Sequence, residues 1–310
     1  MKCPHCGGEL YDGAKFCNAC GAPVKSQSRS RGAEIAVALL KAVCFVLYFF
    51  GVQSIIVGIY SFMTAFRVML PQVASGTLLP DDAVTQVYEL LGAYMHETLI
   101  LSAILTVLIL GLIYRLRGKR MSDEILLRRA DPMLLGKVAL CAIGFQFFIS
   151  IGVSMLPLPD AMFESFEEMN ALLNGGSIAM QLLNVAIFTP IVEEVIFRGF
   201  IFTRLRKVLP AAASALISGA IFGLVHGHPI SFVYATALGV FMAMLMERFQ
   251  SILPCIMCHI AFNGSSFITM LFPDNAALLV TIFAVSLALT VVCVFWIFGL
   301  PQKRRGHAPR

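Results

Sequence analysis

"EEVIFRGFIF" (193–202) sets two adjacent carboxylates and an arginine inside an apolar run that begins near Ile178. A helix that is apolar on all sides is buried in a large core or in lipid, and its charges must then face one another or a cavity. The whole chain favours lipid. Of its 310 residues 58% are hydrophobic and 13% charged, with a mean hydropathy of +0.84, against about 25% charged in an ordinary soluble domain. The fold class expected is an all-α polytopic membrane protein, because the apolar runs are continuous and only helices or closed barrels satisfy the backbone in lipid.

From Gly32 onward eight apolar stretches follow, at about 34–66, 94–114, 133–156, 177–203, 209–226, 229–246, 252–272 and 276–299. Most hold the roughly 20 residues that cross a bilayer. The fifth and sixth are marginal and are joined only by "GHP" (227–229), as in a tight hairpin. With eight spans and a cytoplasmic N-terminus, the inner connections and tail carry 17 Lys and Arg and the outer ones only Arg67. This bias predicts a multi-pass protein of the cell membrane with both termini cytoplasmic. The net charge of +5 resides in these anchors, so no nucleic-acid partner is expected; the expected partner is the bilayer.

Two outer connections have helical patterns. In "PDAMFESFEEMNALLNGG" (159–176), Met162, Phe163, Phe166, Met169 and Leu173 recur at helical spacing between a possible Asp160 cap and Gly175, predicting an acidic interfacial helix. "PDDAVTQVYELLGAYM" (80–95) reads the same way, less clearly.

The head is different. Cys3, Cys6, Cys17 and Cys20 form two C-x2-C pairs ten residues apart, with Gly7 and Gly21 after them. Four thiolates make a closed tetrahedral zinc site, and in about 24 residues with almost no core the metal supplies most of the folding energy. In a reducing cytoplasm this outweighs a pair of disulfides. The expected organisation is a zinc ribbon over 1–24, a polar linker over 25–32, a membrane domain over 33–300 and a basic tail over 301–310. A closed site argues for structure or for docking a protein partner. "CIMCH" (255–259) matches a haem-attachment pattern, but two thiols near the inner end of an apolar helix read as small hydrophobes.

Three apolar stretches hold the polar residues that lipid penalises: Glu193, Glu194 and Arg198; His226 in "FGLVH"; His259 and Asn263 in "HIAFN". At 100° per residue Glu194 and Arg198 lie about 40° apart and can pair, whereas Glu193 lies about 140° away and is free to face something else. A free carboxylate, two imidazoles and an amide are the parts that polarise a water and hold an oxyanion. Counted at about 1.5 Å per residue from the cytoplasmic ends, Glu193 is about 15 Å deep, His226 about 25 Å and His259 about 10 Å. Pro190, tilt, or a re-entrant start near "LPAAA" (209–213) must bring them level, and "GAIFG" (219–223) allows close helix packing.

At these residues the sequence resembles the CPBP family of intramembrane proteases, which includes the type II CAAX prenyl endopeptidases and bacteriocin-processing and self-immunity proteins. Its motifs E-E-x-x-x-R, F-x-x-x-H and H-x-x-x-N occur in order, as Glu193, Glu194 and Arg198, then Phe222 and His226, then His259 and Asn263, and "RGFIFTRL" follows the glutamates. The resemblance covers about 130–300. It implies endopeptidase hydrolysis of a membrane-associated, prenylated or peptide substrate. Glu193 is then the base that activates water and His226 binds or orients that water. His259 and Asn263 stabilise the oxyanion or complete a catalytic zinc site, and Glu194 with Arg198 holds the local structure. Metal-dependent and metal-free chemistry both fit these residue types. The alternatives are a non-enzymatic immunity or scaffold protein docking a partner through its ribbon, and, less favoured without paired inverted halves, a transporter using Glu193 as a proton relay.

Overall fold

A computed structural model of the chain describes residues 2–3, 5–9, 11, 14, 16–23, 30–76, 80–171, 175–269, 271 and 275–299. Most of the expected linker and all of the basic tail lie outside these residues, as do Leu173 and the side chain of Met169.

The head consists of two matching knuckles. In the first, Gly7 N–H donates to the Cys3 carbonyl (2.8 Å) and Cys3 N–H to the Gly8 carbonyl (2.8 Å); in the second, Gly21 N–H donates to Cys17 (2.8 Å) and Cys17 N–H to Ala22 (2.9 Å). Gly7 and Gly21 both have positive φ, 72° and 69°, the left-handed conformation that glycine adopts without a Cβ penalty. One isolated antiparallel bridge accompanies each knuckle, Lys2 with Glu9 and Phe16 with Pro23.

Beyond the head the described chain is helical: α1 (Arg31–Ser75), α2 (Pro80–Ala93), α3 (Met95–Leu116), α4 (Met121–Glu124), α5 (Pro132–Met155), α6 (Asp160–Ala171), α7 (178–206), α8 (Ala211–Leu224), α9 (Pro229–Phe249), α10 (Leu253–Thr269) and α11 (Ala276–Phe298). The two connections with helical patterns are thus helices α2 and α6. Five helices, α1, α3, α5, α9 and α11, are long and apolar enough to cross a membrane. The other three expected spans are helical but do not meet that measure. α8 and α10 have 14 and 17 residues, and α7 alternates α-turns with the wider π-turns Leu182–Phe188 and Val195–Phe202. α1, at 45 residues, outruns its apolar stretch.

The layering is that of a lipid-solvated protein. Polar and small residues gather inside, while Leu47 on α1, Leu108 on α3 and Phe295 on α11 project outward with more than 60% exposure. α7 is the central helix; every residue from Glu194 to Phe202 is buried. Around it, α8 and α9 pack closely through Gly219, Gly223 and Gly239. A Cβ on Gly219 would stand 2.9 Å from Val240 N, and one on Gly239 would stand 2.9 Å from the Gly219 Cα. The small residues of "GAIFG" therefore let two backbones touch, as small residues do in membrane helix pairs. α5 packs between α10 and α11, with Phe145 against Phe262 at 5.7 Å and Phe148 stacked on Phe283 at 5.0 Å.

Candidate active site

Pro190 explains much of the local shape of α7. Proline has no N–H to donate and its ring crowds the carbonyl four residues back. Here that residue is Ala186, inside the first π-turn, where the wider coil makes room. π-turns are frequent at functional sites because they redirect the side chains that follow. Glu193 and Glu194 end the short α-segment after Pro190, and Arg198 lies in the second π-turn.

The expected Glu194–Arg198 pair is present: Arg198 Nη1 donates to Glu194 Oε1 at 2.9 Å, and both side chains are wholly buried. The same oxygen lies 2.9 Å from His259 Nδ1. This second partner was not legible in the sequence, which gave Glu194 only Arg198. The other nitrogen of the ring, Nε2, faces Glu193 Oε2 at 3.6 Å. His259 is thus held between two consecutive carboxylates. The Arg198 guanidinium stacks 4.3 Å from the Phe222 ring centroid. Phe222 in turn meets His226 and His259 edge-on at 4.7 and 5.6 Å.

His226 follows the C-terminus of α8, its Nδ1 2.7 Å from the Phe222 carbonyl. A carbonyl only accepts, so Nδ1 carries the proton and Nε2 of the neutral ring keeps its lone pair. Asn263 donates from Nδ2 to the Val185 carbonyl at 2.9 Å, on the first π-turn. Glu193, His226, His259 and Asn263 all line one cavity of about 570 Å³. The expected difference in depth does not keep these side chains apart: they line one cavity, with α8 and α10 short and two π-turns within α7. At about 1.5 Å per residue the 14 residues of α8 rise about 21 Å, so His226 need not stand at the far face of a roughly 30 Å bilayer core.

Several neighbours escaped the sequence reading. His96, wholly buried at the start of α3, lies with Nδ1 3.1 Å from Asn184 Nδ2, and Thr189 Oγ1 donates to Asn184 Oδ1 at 3.0 Å. Asn184 and Thr189 line the cavity, as do Tyr234 and Gln181. His228 caps α9, accepting from Ile230 N–H at 3.2 Å, and its Nε2 lies 3.1 Å from Ser165 Oγ on α6. Phe166, beside Ser165, reaches the cavity. Their partners lie on other elements or at spacings other than the i, i+4 that links Glu194 with Arg198 and His259 with Asn263.

In the ribbon, Cys3 Sγ lies 3.8 Å from Cys20 Sγ and Cys6 Sγ 3.6 Å from Cys17 Sγ, and all four sulfurs lie within 4.8 Å of one another. A tetrahedron with zinc–sulfur bonds of about 2.3 Å has edges of about 3.8 Å, so the residues fit a zinc ion. N–H groups of Ala19 and Cys20 hold the Cys17 thiol down at about 7. Cys6, although Gly8 N–H lowers it, is pushed up to about 12 chiefly by Cys20 and Cys17. Four thiolates this close need a cation to ionise together. Among the described residues no other group of three or more His, Cys, Asp or Glu donors comes within this range; Glu193, His226 and His259 do not form one.

Fold and site together define a multi-pass helical membrane protein with a polar, cavity-facing charge cluster on its most buried helix. Residues 175–265, which contain all seven motif residues, match the family model described as Type II CAAX prenyl endopeptidase Rce1-like, and residues 2–24 match that of a zinc-ribbon domain. The endopeptidase match is narrower than the 130–300 expected and leaves α1 to α6 and α11 outside it. The chain is also similar to "Putative membrane peptidase YdiL" of Bacillus subtilis (strain 168), 33% identical over 97 residues, which are 31% of this chain and 40% of that protein. The chain thus aligns with less than half the length of this curated relative. No solved structure matches. The N-terminal match and the sulfur geometry together indicate a structural zinc site at Cys3, Cys6, Cys17 and Cys20.

Proposed function

We propose that the protein is an intramembrane endopeptidase in which Glu193 is the general base. The observation that carries this is the shared cavity: the one carboxylate not tied to Arg198 faces it together with His226, His259 and Asn263. A water between Glu193 and His226 Nε2 meets two acceptors for its two hydrogens, which leaves an oxygen lone pair for a peptide carbonyl. Glu193 takes the proton as the carbon–oxygen bond forms and delivers it to the leaving nitrogen as the carbon–nitrogen bond breaks. Asn263 uses one N–H on Val185, and its second amide hydrogen is available to the oxyanion beside His259.

Glu194 and Arg198 act through position. Glu194 is charge-paired with Arg198, which leaves Glu193 as the carboxylate that faces the cavity. Glu194 fixes the His259 ring so that Nε2 addresses Glu193 and the cavity. The scattered placement of Glu193, His226 and His259 donors favours direct activation of water over a catalytic zinc. The ribbon is read as a separately folding module and a docking site for a protein partner, with both termini in the cytoplasm. The substrate class is a membrane-associated peptide or protein, prenylated or not. Mass-spectrometric profiling of a peptide library with wild type and Glu193→Gln tests this reading: cleavage by the first and none by the second is expected, and equal cleavage by both would overturn it.

A further inference from the structure

One wall of the cavity carries polar groups that the proposed hydrolysis leaves unused. Gln146, Ile149, Ser150 and Val153 follow one another at i, i+3, i+4 and i+7 along α5 and all line the cavity. Gln146 is only 7% exposed, more than nine-tenths buried, yet its carboxamide makes no hydrogen bond to any described residue. The other cavity amides of α7 and α10 are engaged. Gln181 donates to the Gly175 carbonyl, Asn184 meets His96 and Thr189, and Asn263 donates to Val185. Its amide atoms are not among the sealed polar atoms that lack a partner, so the donor and acceptor stand open to the cavity, placed to meet something that enters.

The chemistry of the wall indicates what enters. A carboxamide offers a donor and an acceptor together, the complement of one residue's N–H and C=O. In an extended chain these groups recur on one edge every two residues, about 6.6 Å apart. Gln146 and Ser150, four residues apart on a helix, are separated by about 6 Å along its axis. Ile149 and Val153 give the intervening apolar contact. None of the described lining residues is Lys or Arg, so nothing pairs with a free carboxylate, and an isoprenoid chain has no groups for the amide to meet. We propose that Gln146, with Ser150 one turn on, binds the main chain of an extended, uncharged internal peptide segment across the cavity from Glu193. This rests on the endopeptidase reading for the reaction, but the binding itself does not require turnover.

The test uses the full-length protein in detergent micelles, in a Glu193→Gln background, with a fluorescein-labelled mixture of capped apolar octapeptides read by anisotropy. Gln146→Met, which keeps the volume and removes the amide, is compared with the parent, and Gln146→Asn serves if Gln146→Met does not fold. Loss of one hydrogen bond predicts weaker binding by about fivefold or more. Backbone-ester octapeptides, which lack individual N–H donors, should lose affinity for the parent and bind the Gln146 variant no worse than the amides do. Equal binding of the octapeptides to both proteins, or none to the parent, overturns the proposal. If octapeptides bind through Gln146 while wild type cleaves none, the hydrolysis reading fails and this one stands.

Discussion

His259 Nδ1 stands 2.9 Å from Glu194 Oε1, the same oxygen that accepts from Arg198. One carboxylate oxygen therefore sets both the guanidinium and the imidazole. Glu194→Gln should remove the charge that compensates Arg198 in a fully buried site, at a cost of about 3–5 kcal/mol, and should also release the His259 ring. Thermal melts and peptidase assays in detergent should show both losses together.

Glu193→Gln should behave otherwise. The side chain keeps its size at the cavity edge and Arg198 keeps its partner, so turnover should vanish while the melting temperature stays close to wild type. A destabilisation equal to that of Glu194→Gln would contradict this division of roles.

How much of this was legible follows from where each partner sits. Glu194 and Arg198 share a helix and lie four residues apart, so helical periodicity alone pairs them. The two knuckles of the ribbon are local in the same way, and α2 and α6 announce themselves by apolar spacing. The bond from His259 to Glu194 joins α10 to α7, and no spacing within one segment encodes it. The π-turns of α7 were not legible either, since apolar residues on all sides leave no periodic stripe to betray a wider coil. Gln146 stands alone as an amide within the apolar run of α5, and no spacing in that run encodes its place on the cavity wall.

Close packing around the cluster is also testable. In Gly239→Ala the new Cβ would stand 2.9 Å from the Gly219 Cα and 3.0 Å from Arg198 Nη2. Overpacking of this kind costs about 1–3 kcal/mol. A lowered melting temperature is expected, with Gly264→Ala as the control, because its Cβ meets nothing closer than 3.7 Å.

Removal of metal should separate the ribbon from the membrane domain. Cys17→Ser, or acidification that lets protons compete for the sulfurs, should release zinc and make residues 2–24 susceptible to protease. The melting of the membrane helices should not change. Elemental analysis, with one zinc per chain expected for wild type, checks the first part, and detergent melts check the second.

The most direct test of the central claim is the rate of peptide-bond cleavage by purified wild type and Glu193→Gln, each before and after chelation that strips the ribbon zinc. The account predicts cleavage by wild type under both conditions and none by Glu193→Gln under either. Cleavage by Glu193→Gln at the wild-type rate, or wild-type activity lost on chelation and restored by zinc in a protein lacking residues 1–24, would contradict it.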